Sequence, residues 1–436
     1  MIRSVAEHQQ AVAGLLRYSS GYAKVSAETI PVSQAGSRVL AEDIFAPINL
    51  PPFDNSQMDG YAVHEKDLNS PTAATAPLRL RIAAPVPAGV EPAALEPGTA
   101  APIMTGAMIP PGAAAVVPIE RAEPAQFPPS DPAGGQRTVE LPAAIEQGSY
   151  IRRTGSDIAA GTTALTAGTL LGTGQLGLLS ALGIDTVSVR PRFRVLILST
   201  GDEVQEPGTV LQPGRIYDAN ATLLDSGLRE AGAVVVRHRV MGDNPDLLEA
   251  AFGEIDPAQV HLIITTGGIS QGAYEVVKQA LARSTVEFHS VAMQPGGPQA
   301  MGTVGGVPFL GFPGNPVSAL VSFEMFLRPA LSAIVGAPAP RVELTARLGC
   351  AVESTPAKHQ VRRGIFRDGT VELVGGPGSH LIHALATSNA LVHLPAGLEK
   401  ADTGDPVTVW LIDAVEPARN ALALQADPTH DEELHA

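Results

Sequence analysis

Between Phe193 and Phe326, short β-branched runs alternate with stretches of helical period, and this is the clearest hydrophobic pattern in the chain. Phe193 to Leu198 reads as a buried strand ending in STGDE, after which Asn220 stands where an N-cap would open a helix through Glu230, with Gly232 as its stop. Ala233 to Val240 is the next strand, and Asp246 is placed to cap a helix over DLLEAAF. A third strand, Val260 to Thr265, runs into GGISQG and a helix from Tyr274 to Arg283. The strand Val307 to Leu310 then feeds PGNPVS and a packed helix from Val317 to Leu327. Strands alternating with helices predict an α/β unit with a parallel-type sheet.

The flanking regions follow other periods. MIRSVAEHQQAVAGLL has apolar residues at helical spacing behind a Ser4 to Glu7 capping box. Residues 51–147 are rich in Pro, Ala and short β-prone runs, and residues 337–414 alternate strand-like runs such as Val371 to Val374, Leu391 to Leu394 and Val407 to Ile412. The pattern predicts a multidomain α/β chain. Its centre is a three-layer α/β domain at 191–336. A β-rich insert domain at 51–147 interrupts an elongated linker domain built from 1–50 and 148–190. A C-terminal β-barrel domain at 337–414 and a tail at 415–436, acidic and frayed from Gln425 on, complete it.

Composition narrows the classes. With 436 residues, about three domains are expected. Gly (44) and Pro (38) make the chain loop-rich without reaching the share that marks disorder. A net charge of −15 supplies no basic stripe for phosphates along a duplex, so nucleic-acid binding is not expected. The N-terminus lacks the uninterrupted apolar segment of a signal peptide, and no run reads as the roughly 20 apolar residues that cross a bilayer. The single cysteine, Cys350, excludes disulfides within the chain and zinc knuckles, which fits a reducing, cytoplasmic home.

Candidate chemistry lies in loops. PPFDNSQMDGYAV, residues 51–63, packs Asp54, Asn55, Ser56 and Asp59 between two prolines and Gly60; an Asx-type turn into a strand accounts for the run taken alone. STGDE, MGDNP, GGISQG and PGNP all fall at the carboxyl ends of predicted parallel strands, where open α/β sheets bind ligands. In GGISQG successive glycines allow amides to converge on a phosphate, and PGNPVS puts Gly314 and Asn315 before a helix whose N-terminus favours an anion, although Pro316 and capping alone would also explain it. Asp202, Glu203, Asp218, Asp243 and Glu275 surround these loops. Carboxylates beside a phosphate imply an intervening cation, Mg²⁺. GTGQLG at 172–177 matches a dinucleotide fingerprint but lacks the acidic residue expected about 20 positions on, so it reads as a Gly-rich helix start. His380 and His383 lack a third ligand and are assigned no zinc.

Taken in order, FDNSQMDGYAV, IMTGAMIPPGAAAVV, IRRTGSDI, STGDEV, GRIYDAN, GDNP, TTGGISQGAYEVVK and FPGNPVS resemble the molybdopterin molybdenumtransferase family, the molybdenum insertases of cofactor synthesis, over essentially the whole chain. The resemblance implies a Mg²⁺-dependent transferase that takes adenylylated molybdopterin and molybdate, inserts molybdenum and releases AMP. It further implies that the 191–336 domain binds molybdopterin and that the protein is a homodimer, with a molybdopterin adenylyltransferase and apo-molybdoenzymes as transient partners. By position in the motifs, Asp59, Thr105 and Asp157 line the active cleft. Glu203, Asp243 and Glu275 handle the cation and nucleotide, and Gly267, Gly268, Ser270, Gly272, Gly314, Asn315 and Pro316 form the phosphate and pterin loops. Arg152 or Arg153 would offer molybdate a guanidinium.

Several positions depart from the family pattern. Where many members have lysines in an IKPGKP stretch, this chain reads MQPGGP, with Gln294 and Gly297; Glu275 stands for the usual Asp and Ala114 for another. The departures mean either a rearranged anion pocket or weakened catalysis, and the intact acidic and glycine positions favour the former. A non-catalytic scaffold, as in the eukaryotic relative gephyrin, and adenylyl transfer to molybdopterin are the alternatives.

Overall fold

The computed structural model describes residues 2–19, 21–22, 25–71, 73–127, 137–269, 276–336 and 340–412. The chain divides into two compact units, one of Met1–Glu28, Ser37–Val39 and Val189–Ala436, the other of Thr29–Gly36 and Leu40–Ser188.

The first unit holds a seven-stranded sheet in the order Ile2–Arg3, Glu287–Val291, Pro298–Val304, Val307–Phe312, Leu262–Thr266, Phe193–Thr200, Ala233–Met241. The last four strands are mutually parallel, and the Pro298–Val304 strand is antiparallel to both its neighbours. The central strands read as continuous apolar runs because both faces are covered. In Phe193–Thr200, Val195 and Ile197 enter one core while Leu196 and Leu198 enter the other, which gives the three layers.

Helix starts fall within a turn of their sequence signals, though two caps differ. Asn244, not Asp246, caps Pro245–Gly253, its side chain accepting from the amides of Asp246 and Leu247. The helix Asn220–Glu230 is held at its start by Asp218, whose Oδ1 accepts from the Ala221 amide at 3.0 Å. The Asn220 side chain is thereby left for other work. Of the helix expected over 274–283, only Val276–Ala280 is helical among the described residues.

The last helix is longer than its sequence pattern suggested, running from Pro316 to Val335 through a π-helical stretch at Phe323–Leu327. It is 20 residues long and its most apolar stretch has a mean hydropathy of 1.4, but that stretch is 72% buried within the fold, as a core helix is. Glu324 and Arg328, inside this segment, pair at 2.9 Å.

The capping box forms as read, with Glu7 accepting from the Ser4 amide at 2.7 Å and donating its own amide to Ser4 Oγ at 3.2 Å. The helix it opens, Val5–Ser19, sends Val12 and Leu16 into the α/β core, and Ile2–Arg3 pairs with Glu287–Val291. By packing, therefore, the first 28 residues group with the sheet, whereas the sequence reading set residues 1–50 in the elongated domain.

Near the C-terminus, His359–Arg367, Thr370–Leu373, Val342–Leu348, Pro406–Leu411 and Ala390–Leu394 pair in sequence around a closed circuit, sealed between the first and last. Met293–Gln294, the start of MQPGGP, adds to it in parallel beside His359–Gln360.

The second unit contains a five-stranded sheet, Ala113–Pro118, Gly60–His64, Thr99–Ile103, Leu78–Ile82, Thr138–Leu141, with a core on each face. Gly60 is obligatory, since a Cβ there would lie 2.0 Å from the Val117 carbonyl oxygen. Two-stranded ribbons join Ile44–Phe45 to Thr163–Leu165 and Asn55–Ser56 to Ile151–Arg152, bringing together segments far apart in sequence. GTGQLG starts the helix Thr173–Ala181, where Gln175 accepts from the Gly172 amide, in keeping with its reading as a helix start.

Candidate active-site cleft

Because four strands of the first unit run parallel, Thr200, Met241, Thr266 and Phe312 end at one sheet edge and the loops STGDE, MGDNP, GGI and PGNP emerge side by side. Two cavities lie along this edge. One, of about 390 Å³, is lined by Glu203, Asp218, Asp243, Asn220 and Tyr217. The other, of about 600 Å³, is lined by Gln294, Ser318, Lys358, Gly378 and Ser379. Both share Gly267, Gly268, Gly314 and Asn315, so they form two ends of one cleft.

The smaller end is acidic. Asp202 and Asp243 fasten the first two loops together, Asp202 Oδ1 accepting from the Asp243 amide at 3.0 Å and Asp243 Oδ2 from the Asp202 amide at 3.4 Å. Asp218 is buried, which by itself would raise its pKa. Hydrogen bonds from His238 at 3.0 Å, from Ser199 and from the Ala221 amide outweigh that burial and hold its carboxyl below the usual carboxylate range. Asp218 is thus absorbed into structure, whereas Glu203 and Asp243 face the pocket from neighbouring loops.

The glycine loops meet at the saddle. Gly267 and Gly268 have φ of +89° and +63°, and a Cβ on Gly267 would sit 2.7 Å from the Thr200 carbonyl oxygen. The Gly267 amide donates to Phe312 O at 3.0 Å, so it serves the sheet and is not free for an anion. PGNP departs from simple capping. Asn315 occupies the N-cap position without a side-chain cap, and its Nδ2 donates to Ser379 Oγ at 2.9 Å. Pro316 has no amide and the Val317 amide donates to Ser379 O at 3.2 Å, which leaves this helix start fewer amides for an anion than the motif implied. Asn220 Nδ2 donates to Gly314 O at 2.7 Å, pinning PGNP from the other side.

The barrel completes the larger end. Ser379 holds PGNP, and Lys358 is the one cationic side chain among the described residues lining either cavity. The sequence reading missed Lys358, Ser379 and this use of Asn220, because Lys358 and Ser379 lie 43 and 64 positions beyond Asn315. The only signal was the strand-like text around them. Gln294, at a family lysine position, accepts from Thr355 Oγ1 at 3.3 Å and Gln360 Nε2 at 3.2 Å and so belongs to the wall.

In the second unit, Asp59 and Thr105 come together. Asp59 Oδ1 accepts from the Thr105 amide at 2.7 Å and from its hydroxyl at 2.8 Å, and these bonds, the amide first, hold the carboxyl below the usual carboxylate range. Asn55 and Ser56 are buried and turned onto their own loop, Ser56 Oγ donating to Met58 O at 2.6 Å. Arg153 is committed to Asp54 at 2.7 Å and is not a free guanidinium for molybdate; Arg152 is exposed. Asp157 is also exposed, its amide donating to Leu50 O at 2.9 Å.

Ser270, Gly272 and Glu275 lie outside the described residues. Of the expected metal ligands, Glu203 and Asp243 therefore remain. Among the described residues no three His, Cys, Asp or Glu are grouped to hold a metal by themselves. Two carboxylates in an open polar pocket fit Mg²⁺, which takes one or two from a protein and fills its shell with water and substrate phosphate.

Comparison with known proteins identifies the parts of the chain. Residues 3–183 match the MoeA N-terminal region (domain I and II), 196–333 a probable molybdopterin binding domain and 345–412 the MoeA C-terminal region (domain IV). The chain is 43% identical over 423 residues to molybdopterin molybdenumtransferase 2 of Mycobacterium tuberculosis, covering 94% of this chain and 99% of that one. It is 35% identical to molybdopterin molybdenumtransferase of Haemophilus influenzae, over 88% of this chain and 93% of that one. The crystal structure of the molybdopterin biosynthesis moeA protein from Pyrococcus horikosii superposes with a TM-score of 0.74 at 29% identity, covering 95% of this chain and all of that one. The chain therefore belongs to the molybdopterin molybdenumtransferase family.

Proposed function

We propose that this protein is a molybdopterin molybdenumtransferase that converts adenylylated molybdopterin and molybdate into molybdenum cofactor with release of AMP. The observation that carries the reading is the polarity of the cleft, with Glu203 and Asp243 at one end, Lys358 and Ser379 at the other, and a saddle of glycines and Asn315 between. Both substrates are anions, so the protein's work is to neutralise, orient and exclude water rather than to supply a strong nucleophile. Bound Mg²⁺ would offset phosphate charge at the acidic end. Glu203 and Asp243 would hold it there. At the other end Lys358 offers a positive charge and Ser379 a hydroxyl to a tetrahedral dianion, replacing the lysines absent at Gln294 and Gly297. Asn220 and Ser379 keep the saddle in place from its two sides.

The reading extends to a cytoplasmic homodimer that receives substrate from a molybdopterin adenylyltransferase and passes product to apo-molybdoenzymes. The single cysteine, in keeping with a reducing compartment, supports the cytoplasmic part of it. The test supplies adenylylated molybdopterin and Mg²⁺, titrates molybdate, and follows AMP release together with reconstitution of an apo-molybdoenzyme. Molybdate-dependent release with reconstitution is expected. Neither signal from a folded protein would move the reading to a binding role, and pyrophosphate released from ATP without molybdate would move it to adenylyl transfer.

A further inference from the structure

Four arginines of the described chain are buried, and they fall into two kinds. Arg38 pairs with Glu28, and Arg328 with Glu324 and Glu230. Arg362 and Arg363, adjacent on the barrel strand His359–Arg367, are 8% and 1% exposed, and neither has a carboxylate partner among the described residues. An unneutralised guanidinium is among the costliest groups to bury, and two side by side repel each other besides. Their side chains reach only backbone, Arg362 Nη2 donating to Gly375 O at 3.1 Å and Arg363 Nη2 to Gly376 O. Arg362 Nε and Arg363 Nε and Nη1 have no hydrogen-bond partner among the described residues.

The two acceptor carbonyls begin the loop whose far end walls the cleft. Gly375 takes φ of +66° to make the turn, Gly378 and Ser379 line the larger cavity, and Ser379 makes both bonds that tie PGNP to the barrel. Buried strand, arginine fork, glycine carbonyls, Ser379 and Asn315 are thus one mechanical path. Its charged members hold the first carbonyls of a loop that goes on to line a cavity lacking lysine at 294 and 297.

We propose that Arg362 and Arg363 are positioning residues of the anion end of the cleft, holding the Gly375–Ser379 wall against PGNP while their unneutralised charge adds to the positive potential beside Lys358. The inference rests on the reading of that end as an oxyanion site. A charge behind the wall is shielded from salt, unlike one on the surface, and it attracts an anion without touching it.

The test titrates inorganic molybdate into the full chain by calorimetry, without pterin, for wild type and for Arg362→Gln, Arg363→Gln, Arg362→Lys and Arg363→Lys, with thermal unfolding and amide exchange on each. The glutamine variants are expected to bind molybdate about tenfold more weakly, as for loss of a charge in a poorly screened site. The lysine variants keep the charge and lose the fork. They are expected to stay within about threefold of wild type while the amides from Gly375 to Ser379 exchange faster. Wild-type affinity in folded glutamine variants overturns the charge role, and unchanged exchange in the lysine variants overturns the positioning role, even if the glutamine variants fail to fold. A wild type that binds no molybdate overturns the oxyanion reading and the charge role with it. A wild type that binds molybdate but never turns over leaves the arginine result standing.

Discussion

The two ends of the cleft are made from different materials. The acidic end is built of side chains on loops that follow adjacent parallel strands of one sheet, and its members Glu203, Asp218 and Asp243 lie within 40 positions of each other. The other end is built from backbone, Asn315 and residues lent by the barrel, with Lys358 as its cation. Charge of opposite sign at the two ends suits a molecule that carries a phosphate to be offset by a cation at one end and accepts an oxyanion at the other. It also means that one end can be damaged without the other, and that separation is open to experiment.

The largest effect is expected from Lys358→Glu, which reverses the sign at the oxyanion end. Turnover should fall about 10²-fold or more, as for removal of a preorganised stabilising group. AMP binding to the unreacted protein should change little. Equal loss of both would show that the ends are not separate.

Next comes the acidic end. Asp243→Asn and Glu203→Gln should each lower turnover by about 10²-fold while leaving inorganic molybdate affinity unchanged, and raising the Mg²⁺ concentration should recover part of the loss if the carboxylates hold the cation. Full activity in either variant would remove that residue from the site. Asp59→Asn in the second unit is the companion: the asparagine oxygen can still accept from the Thr105 amide, so a folded but slower enzyme is expected.

This asymmetry also explains what the sequence could disclose. The strands of the α/β unit were readable because each is buried on both faces and therefore continuously apolar, and their parallel order follows from the intervening helices. Glu203 and Asp243 were found because the loops after such strands are where open sheets bind. Lys358 and Ser379 were not, since nothing local tells a barrel strand that its neighbour in space is PGNP. The same limit applied to Asn220, read as a cap when Asp218 does that work, and to Arg153, offered with Arg152 as a guanidinium for molybdate and found paired with Asp54. Short polar side chains are ambiguous because cap, turn and ligand contact use the same atoms. The structure divides FDNSQMDG accordingly, Asn55 and Ser56 serving the loop and Asp59 facing outward with Thr105.

A smaller effect concerns Asp218, the member of the acidic end that structure has claimed. Its folded pKa lies below the ordinary carboxylate value of 3.8, so its contribution to stability is present above that value and is lost as pH falls through the folded pKa. Asp218→Asn should therefore be less stable than wild type near neutrality, by about 1 kcal/mol for a hydrogen-bonded group of this kind. The gap should narrow only below about pH 4. Thermal unfolding from pH 7 to pH 3 measures it, and a gap independent of pH would mean that the lost contacts are steric rather than charged.

The smallest effect distinguishes the two positions where lysines are missing. A Cβ on Gly297 would sit 3.3 Å from the carbonyl oxygens of both Met293 and Val291, so the backbone must give by a few tenths of an ångström before any side chain fits. Gln294 already carries a long side chain at the cavity wall, and its replacement costs only the bonds from Thr355 and Gln360. Gln294→Lys should then tighten molybdate binding by about threefold, a modest gain because the added ammonium is partly solvated and Lys358 already supplies charge. Gly297→Lys should gain less or lose stability. If Gly297→Lys proves the better binder, the wall around Met293 yields more readily than its contacts imply, and the oxyanion end is set by charge count rather than by the fixed shape that Ser379 and PGNP give it.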